Sequence, residues 1–224
     1  MGKDNQPKAR RAAQLARKKA QRAPYDRILI VSEGRKTEPQ YFSEIRAHYR
    51  LHTANVQVQP GQLGTQPLQV VEFAEQLLAK GDRFRNIQPR AFEQVYAVFD
   101  RDDHATYHTA LDKAAALDGK LRNDQSLPVK FQAIASVPCF ELWLLLHFAD
   151  VLAPLHRDEV YQRLRQHLPG YDKGQIGHFA KTLQHLSAAS QRAEQLSALA
   201  TAHDGKATYT DVHRLVRLLT TLKA

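Results

Sequence analysis

Two short, nearly unbroken apolar runs, Arg27-Ile-Leu-Ile-Val-Ser32 and Gln94-Val-Tyr-Ala-Val-Phe99, constrain this chain more than any other feature. Rich in β-branched residues and without polar alternation, they read as strands buried on both faces. Such strands need a layer of structure on each side, as in a parallel sheet covered by helices. The segments between supply the layers. Thr37 with Pro39 starts a helix over 37 to about 51, with Phe42, Ile45 and Tyr49 on one stripe. Residues 56–59 alternate as a short strand, 60–67 form a loop with two glycines, and 68–79 form a helix with Leu68, Val71 and Leu78 inward. A helix over 105–117 and a strand over 130–135 complete a β-α-β-α-β-α-β order across 27–150. Beyond Leu155 the patterns are all helical, at 157–167, 173–186, 187–202 and 210–222, punctuated by Gly170, Gly174, Gly177 and Gly205. The expectation is an α/β domain over 25–150 with a helical extension over 151–224 packed on it.

Charge divides the chain differently. Residues 1–24 hold eight basic side chains against Asp4 alone, a net +7 of the chain's +9, so the remainder is nearly balanced. This arm, disordered or helical, has Leu15 as its one large apolar residue. It can act as a solvated tail or, through Arg10, Arg11, Arg17, Lys18 and Lys19, hold phosphates by counterion release. The lone Cys139 excludes an intrachain disulfide and a Cys-based zinc site. No apolar stretch follows the first basic residues, which predicts no secretory signal. The most apolar segment, 140–148, is far short of the roughly 20 residues that span a bilayer. A cytoplasmic protein without a membrane segment is expected.

In an open parallel sheet, ligands bind beyond the carboxyl ends of the strands. Both apolar runs end there in acids: Glu33 and Glu38 after the first, Asp100, Asp102 and Asp103 after the second. On an extended segment, Asp100 and Asp102 face the same way while Arg101 points elsewhere. Mg²⁺ (or Mn²⁺) takes a few carboxylates, waters and phosphate oxygens, and three acids from two neighbouring strand ends fit that demand. Either cluster alone could be strand-to-helix capping, with Asp102 or Asp103 as an N-cap and Glu38 in a helix first turn. Together they favour a metal site, and Arg35, Lys36 and Arg101 add phosphate-binding cations.

These residues carry a resemblance. An apolar strand followed by Glu-Gly, then one followed by Asp-x-Asp, resembles the Toprim fold of topoisomerases, primases and OLD-type nucleases. Within that superfamily the chain is similar to the RloB-like (AbiLii-related) proteins. The matching segments are Ser32-Glu33-Gly34-x-Lys36-Thr37-Glu38-Pro39-x-Tyr41-Phe42 and Val98-Phe99-Asp100-Arg101-Asp102-x-His104. Pro138-Cys139-Phe140-Glu141-Leu142-Trp143 through Phe148, and Thr210-Asp211-Val212-His213-Arg214-Leu215-Val216, complete the match. It runs from about Ile28 to the C-terminus, with Val137 where the family tends to have a polar residue. The resemblance implies a Toprim-like sheet, with Glu33, Asp100 and Asp102 as metal ligands and Glu38 as the second acid of OLD-type nucleases. It also implies a role in bacterial anti-phage defence, often beside a separate ATPase; this chain has no G-x-x-x-x-G-K-[ST] run of its own.

Other residues have two readings. Glu141 opens an apolar helix, where it either favours the helix dipole or serves as a metal ligand or general base. His104 is either exposed at a helix start or a proton donor to a leaving group. Lys173, expected at a helix start, is either exposed or a phosphate ligand. His147 reads as a core histidine, and His178, His185, His203 and His213 show no spacing that demands a metal. Three functions compete: a Mg²⁺-dependent nuclease on DNA or tRNA, a haloacid-dehalogenase-type phosphatase, and an idle subunit that binds nucleic acid or a phage trigger. The phosphatase motif normally ends the first strand and continues with Thr or Val; here a strand and Glu33 precede Asp100, and Asp103 follows Asp102.

Overall fold

A computed structural model describes residues 25–64, 66–204 and 207–222. The arm, and with it Arg10, Arg11, Arg17, Lys18 and Lys19, lies outside them. The sheet has the order β2-β1-β3-β4-β5, with β1 Ile28–Ser32, β2 Val56–Pro60, β3 Gln94–Asp100, β4 Lys130–Val137 and β5 Tyr209–Thr210. The first four are parallel, and β5 runs antiparallel to β4. This α/β arrangement is consistent with a Toprim-like sheet. The fifth strand corrects the expectation of helices alone after Leu155. It is two residues long, tied by Ser136 and Thr210, whose hydroxyls lie 3.1 Å apart.

The helices are α1 Thr37–His48, α2 Pro67–Lys80, α3 Tyr107–Leu117, α4 Glu141–Leu145, α5 Arg157–His167, α6 His178–Thr182, α7 Leu186–Leu199 and α8 Val212–Thr221. Alternate strand residues separate into two cores. Ile28 and Ile30 of β1, with Tyr96 and Val98 of β3, pack with Tyr41, Phe42 and Ile45 of α1 and with the helices of the extension. Leu29 and Val31, with Val95, Ala97 and Phe99, pack under α2 and α3. Both faces of β1 are thus fully buried, as its composition demands, each large apolar side chain contributing roughly 1.5–3 kcal/mol.

Three element starts differ by two residues or more from the sequence reading; the helix expected from 210 begins at Val212, after β5. Residues 173–177 form turns in which Gly174 and Gly177 hold φ of 93° and 91°, so the helix expected from 173 begins at His178. The helix expected from 105 begins at Tyr107. At the amino edge of the sheet, Arg27 is buried and saturated by carboxylates. Its guanidinium donates to Asp124 at 2.6 and 2.7 Å and to both oxygens of Glu93.

Candidate metal centre

β1 and β3 are neighbours in register, Ser32 opposite Val98, so Glu33 leaves the sheet opposite Phe99, one residue before Asp100, at the carboxyl edge. The Glu33 backbone N–H donates to Val98 O at 2.9 Å, and Glu33 Oε2 accepts from the Asp100 N–H at 3.1 Å. Beyond Asp100 the chain leaves the sheet. Arg101 N–H donates to Ser136 O at 2.8 Å and Asp102 N–H to Pro138 O at 3.2 Å, with Asp102 at φ +35°. Asp102 therefore reaches the site from a left-handed turn, which replaces the extended Asp-x-Asp geometry expected from sequence. The same turn brings His104 Nε2 to 3.3 Å from Glu33 Oε1. One ligand atom each from Glu33, Asp102 and His104 lie within 4.8 Å of one another.

The remaining acids come from the α1 side of the sheet. Glu38 is buried in the first turn of α1, its carboxylate filling the space where Gly34 has no Cβ. Glu141 heads α4 directly after β4 and the cis Val137–Pro138 bond, and is 1% exposed. Its Oε1 accepts from the Tyr171 hydroxyl at 2.8 Å and lies 3.5 Å from Lys173 Nζ. Its Oε2, like Asp102 Oδ1, is buried without a hydrogen-bond partner among the described residues. The other Asp102 oxygen meets Arg157 Nη1 at 2.9 Å.

The electrostatics follow from this crowding. Burial pushes the Asp100 carboxyl well above its ordinary range, and the charges of Glu38, Glu141, Glu33 and Asp102 push it further. Burial, then Glu141 and Glu33, raise Glu38 to about 7 against its own backbone hydrogen bond. Glu33 and Asp102 are also raised by burial, restrained by the Asp100 N–H and His104 in one case and by Arg157 in the other. Desolvated carboxylates with orphaned oxygens are costly unless a cation or proton joins them. Carboxylate oxygens with one imidazole and no thiolate suit Mg²⁺ or Mn²⁺ better than a soft metal. The residues present therefore fit a divalent cation.

Of the remaining sequence candidates, Lys173 faces Glu141 from a turn instead of a helix start. Arg35 and Lys36 are exposed beside the site, Lys36 lying along Gly174, where a Cβ would come within 2.5 Å of Lys36 Cδ. Arg101 is half-buried in the turn after β3. His147 is a core residue: its Nδ1 lies 2.9 Å from Trp143 O, and burial lowers its pKa to about 4. Sequence reasoning misses Arg157 and Tyr171. Each reaches a site carboxylate from the extension, and no local spacing marks either one.

A protein with this sheet and this acidic edge is an α/β protein with a candidate cation site at the strand carboxyl ends. The family model described as RloB-like protein matches residues 28–219. The chain therefore belongs to the RloB-like family. No curated protein and no solved structure matches it.

Proposed function

We propose that this protein is a divalent-cation-dependent, Toprim-type nuclease and the effector of a bacterial anti-phage system that works with a separate ATPase. The observation that carries the reading is the meeting of Glu33, Glu38, Asp100, Asp102 and Glu141 at one sheet edge. Asp102 and Glu141 there keep buried, unpartnered oxygens. Gathering that many acids without a cation would serve no structural purpose, since like charges raise one another's pKa and oppose folding above it.

Glu33, Glu38, Asp100 and Asp102 would hold Mg²⁺ or Mn²⁺. That ion supplies Lewis-acid polarisation of a phosphoryl oxygen and charge neutralisation as the phosphorus becomes five-coordinate. The protein supplies the rest. Water adds to phosphorus as the bond to the leaving sugar oxygen breaks. Glu141, desolvated and with Oε2 open, accepts a proton from the water, and His104 returns one to the leaving oxygen. Arg35, Lys36 and Arg101 border the edge where a backbone would run. Among the described residues no helix is long and apolar enough to cross a membrane.

The test is cleavage of tRNA and DNA by the purified chain, alone and with the product of its genomic neighbour, in Mg²⁺ or Mn²⁺ against chelator. Cleavage that vanishes with chelator and in Asp100→Asn supports the nuclease. Nucleic-acid binding without cleavage under every condition supports the idle subunit instead.

A further inference from the structure

Two cations of the helical extension occupy the acidic edge in an unusual way. Arg157, at the start of α5, touches Asp102 through Nη1 alone, and Lys173, from the turn before α6, stands 3.5 Å from a Glu141 oxygen that Tyr171 already bonds. Both lie over one ring, that of Tyr161, at 5.9 Å for the Arg157 guanidinium and 5.2 Å for the Lys173 ammonium. The Tyr161 ring and its hydroxyl, which lies beside both cations, hold them in place while leaving each further N–H donors.

The same protein shows what a purely structural arginine does. Arg27 is 5% exposed at the side chain and spends its fork on two carboxylates at once. Arg157 and Lys173 are 36% and 48% exposed, and each has a single carboxylate contact among the described residues. Arg157 also leaves the second oxygen of Asp102 orphaned, although a guanidinium can engage both oxygens of a carboxylate. Held over an aromatic ring and open to solvent, the two cations neutralise carboxylates without being committed to them.

We infer that Arg157 and Lys173 are the phosphate-binding residues of the site and that they change partners. Without a divalent cation they neutralise Asp102 and Glu141; with one, they turn their donors to the phosphodiester backbone of the substrate. A guanidinium matches two oxygens of a phosphate, and an ammonium offers a point charge, so the pair grips a backbone without reading bases. The inference rests on the metal-dependent reading above and deepens it. It makes the extension part of the substrate site and couples the two ligands: cation binding releases the cations that grip phosphate, so each ligand raises affinity for the other.

The test uses the full chain with Arg157→Gln, Lys173→Gln, the double variant and Arg157→Lys, with circular dichroism confirming the fold. Calorimetric titration reads Mn²⁺ binding, and fluorescence anisotropy of a labelled oligonucleotide, with Ca²⁺ to prevent cleavage, reads phosphate binding. The expected result is unchanged or tighter Mn²⁺ binding in both Gln variants, because a competitor has left the carboxylate. Oligonucleotide affinity in Ca²⁺ falls by roughly tenfold per residue, the worth of one hydrogen bond to a charged group. The log–log salt slope falls by about 0.9 for each. Arg157→Lys restores the slope. Wild type should also bind the oligonucleotide more tightly with Ca²⁺ than with chelator, and the double variant should lose that gain. If wild type binds Mn²⁺ but the Gln variants keep oligonucleotide affinity and slope, the inference falls and the metal reading stands. Weaker Mn²⁺ binding in the Gln variants makes the two cations mere supports for the carboxylates and also overturns it. If wild type takes up no Mn²⁺, both readings fall together.

Discussion

A Cβ on Gly34 would lie 2.0 Å from Oε2 of Glu38, so the glycine after the first strand exists to let a buried carboxylate come up against the backbone. Gly34→Ala therefore tests the site and not the turn. The methyl has only the end of a side chain to displace, so the fold should survive, while the Glu38 carboxylate moves away from Glu33 and Asp100. We expect the rise in melting temperature on adding Mn²⁺ to shrink and metal-dependent cleavage to fall by at least about tenfold, the cost of moving one group of a preorganised site. An unaltered Mn²⁺ response would place Glu38 outside the cation site.

Glu33→Gln and Asp100→Asn keep side-chain size while removing a negative charge from a cluster whose members raise one another's pKa. Without cation, the melting temperature should hold or rise. With Mn²⁺ at about 100 times its dissociation constant, wild type gains about 2.7 kcal/mol and the variants much less. If these acids are only caps or structural partners, both variants melt lower by on the order of 1 kcal/mol and the Mn²⁺ shift is unchanged.

The pH dependence has a definite sign. Glu38 has a folded pKa of about 7 against an ordinary value of 4.5, so the folded protein binds the proton more tightly than the unfolded chain. Its contribution is stabilising below the unfolded value and is lost as pH rises through about 7, by up to about 3 kcal/mol. Denaturant titrations without cation should show stability falling between about pH 5 and about pH 7.5, and Glu38→Gln should flatten the curve. Mn²⁺ affinity should move the other way, rising with pH as protons stop competing for the carboxylates. A cation-free stability that climbs over this interval would contradict the buried, acid-crowded environment of Glu38.

The arm makes a separate prediction. Removing residues 1–24 takes none of the residues of the two cores and eight basic side chains. The truncated protein should melt within about 0.5 kcal/mol of wild type, since no residue of either core is removed. Its nucleic-acid binding should weaken, and its salt slope should drop by about 0.9 for each phosphate the arm would otherwise neutralise. An unchanged slope would remove the arm from the nucleic-acid interface.

Much of this architecture is written locally. β1 and β3 announce themselves because a strand between two helix layers must be apolar at every position, and their acidic ends mark the sheet edge. β5 is not legible that way. Tyr209 and Thr210 are two residues whose strand conformation comes from pairing with Val137 and Ser136, more than seventy positions earlier. The start of α6 is misplaced from sequence because Gly174 and Gly177 look like punctuation within a helical pattern, yet their positive φ values hold a turn. Strand alternation puts Asp102 at the edge for the wrong local reason, since a left-handed residue carries it there. Arg157 and Tyr171 are invisible as site residues: an arginine at a helix start and a tyrosine after Pro-Gly have ordinary local explanations, and only the folded extension sets them against Asp102 and Glu141.

The sheet sorts its side chains into two cores that differ in duty. Asp100 follows Tyr96 and Val98 in strand phase, and Glu38, Glu141, Tyr171 and Arg157 all stand on elements packed against that same face. The other face, under α2 and α3, is lined with Ala74, Ala97, Ala110, Ala114 and Ala135 among larger neighbours. The sheet separates it from Glu38 and Glu141, although Glu33 follows Leu29 and Val31 in its phase and Tyr107 of α3 senses the charge of Asp100. An engineer could rework that alanine-rich side, away from Glu33 and Tyr107, to harden the protein against heat or denaturant while leaving its chemistry as found. A disturbance of comparable size on the opposite side would reach the carboxylates within one layer of packing.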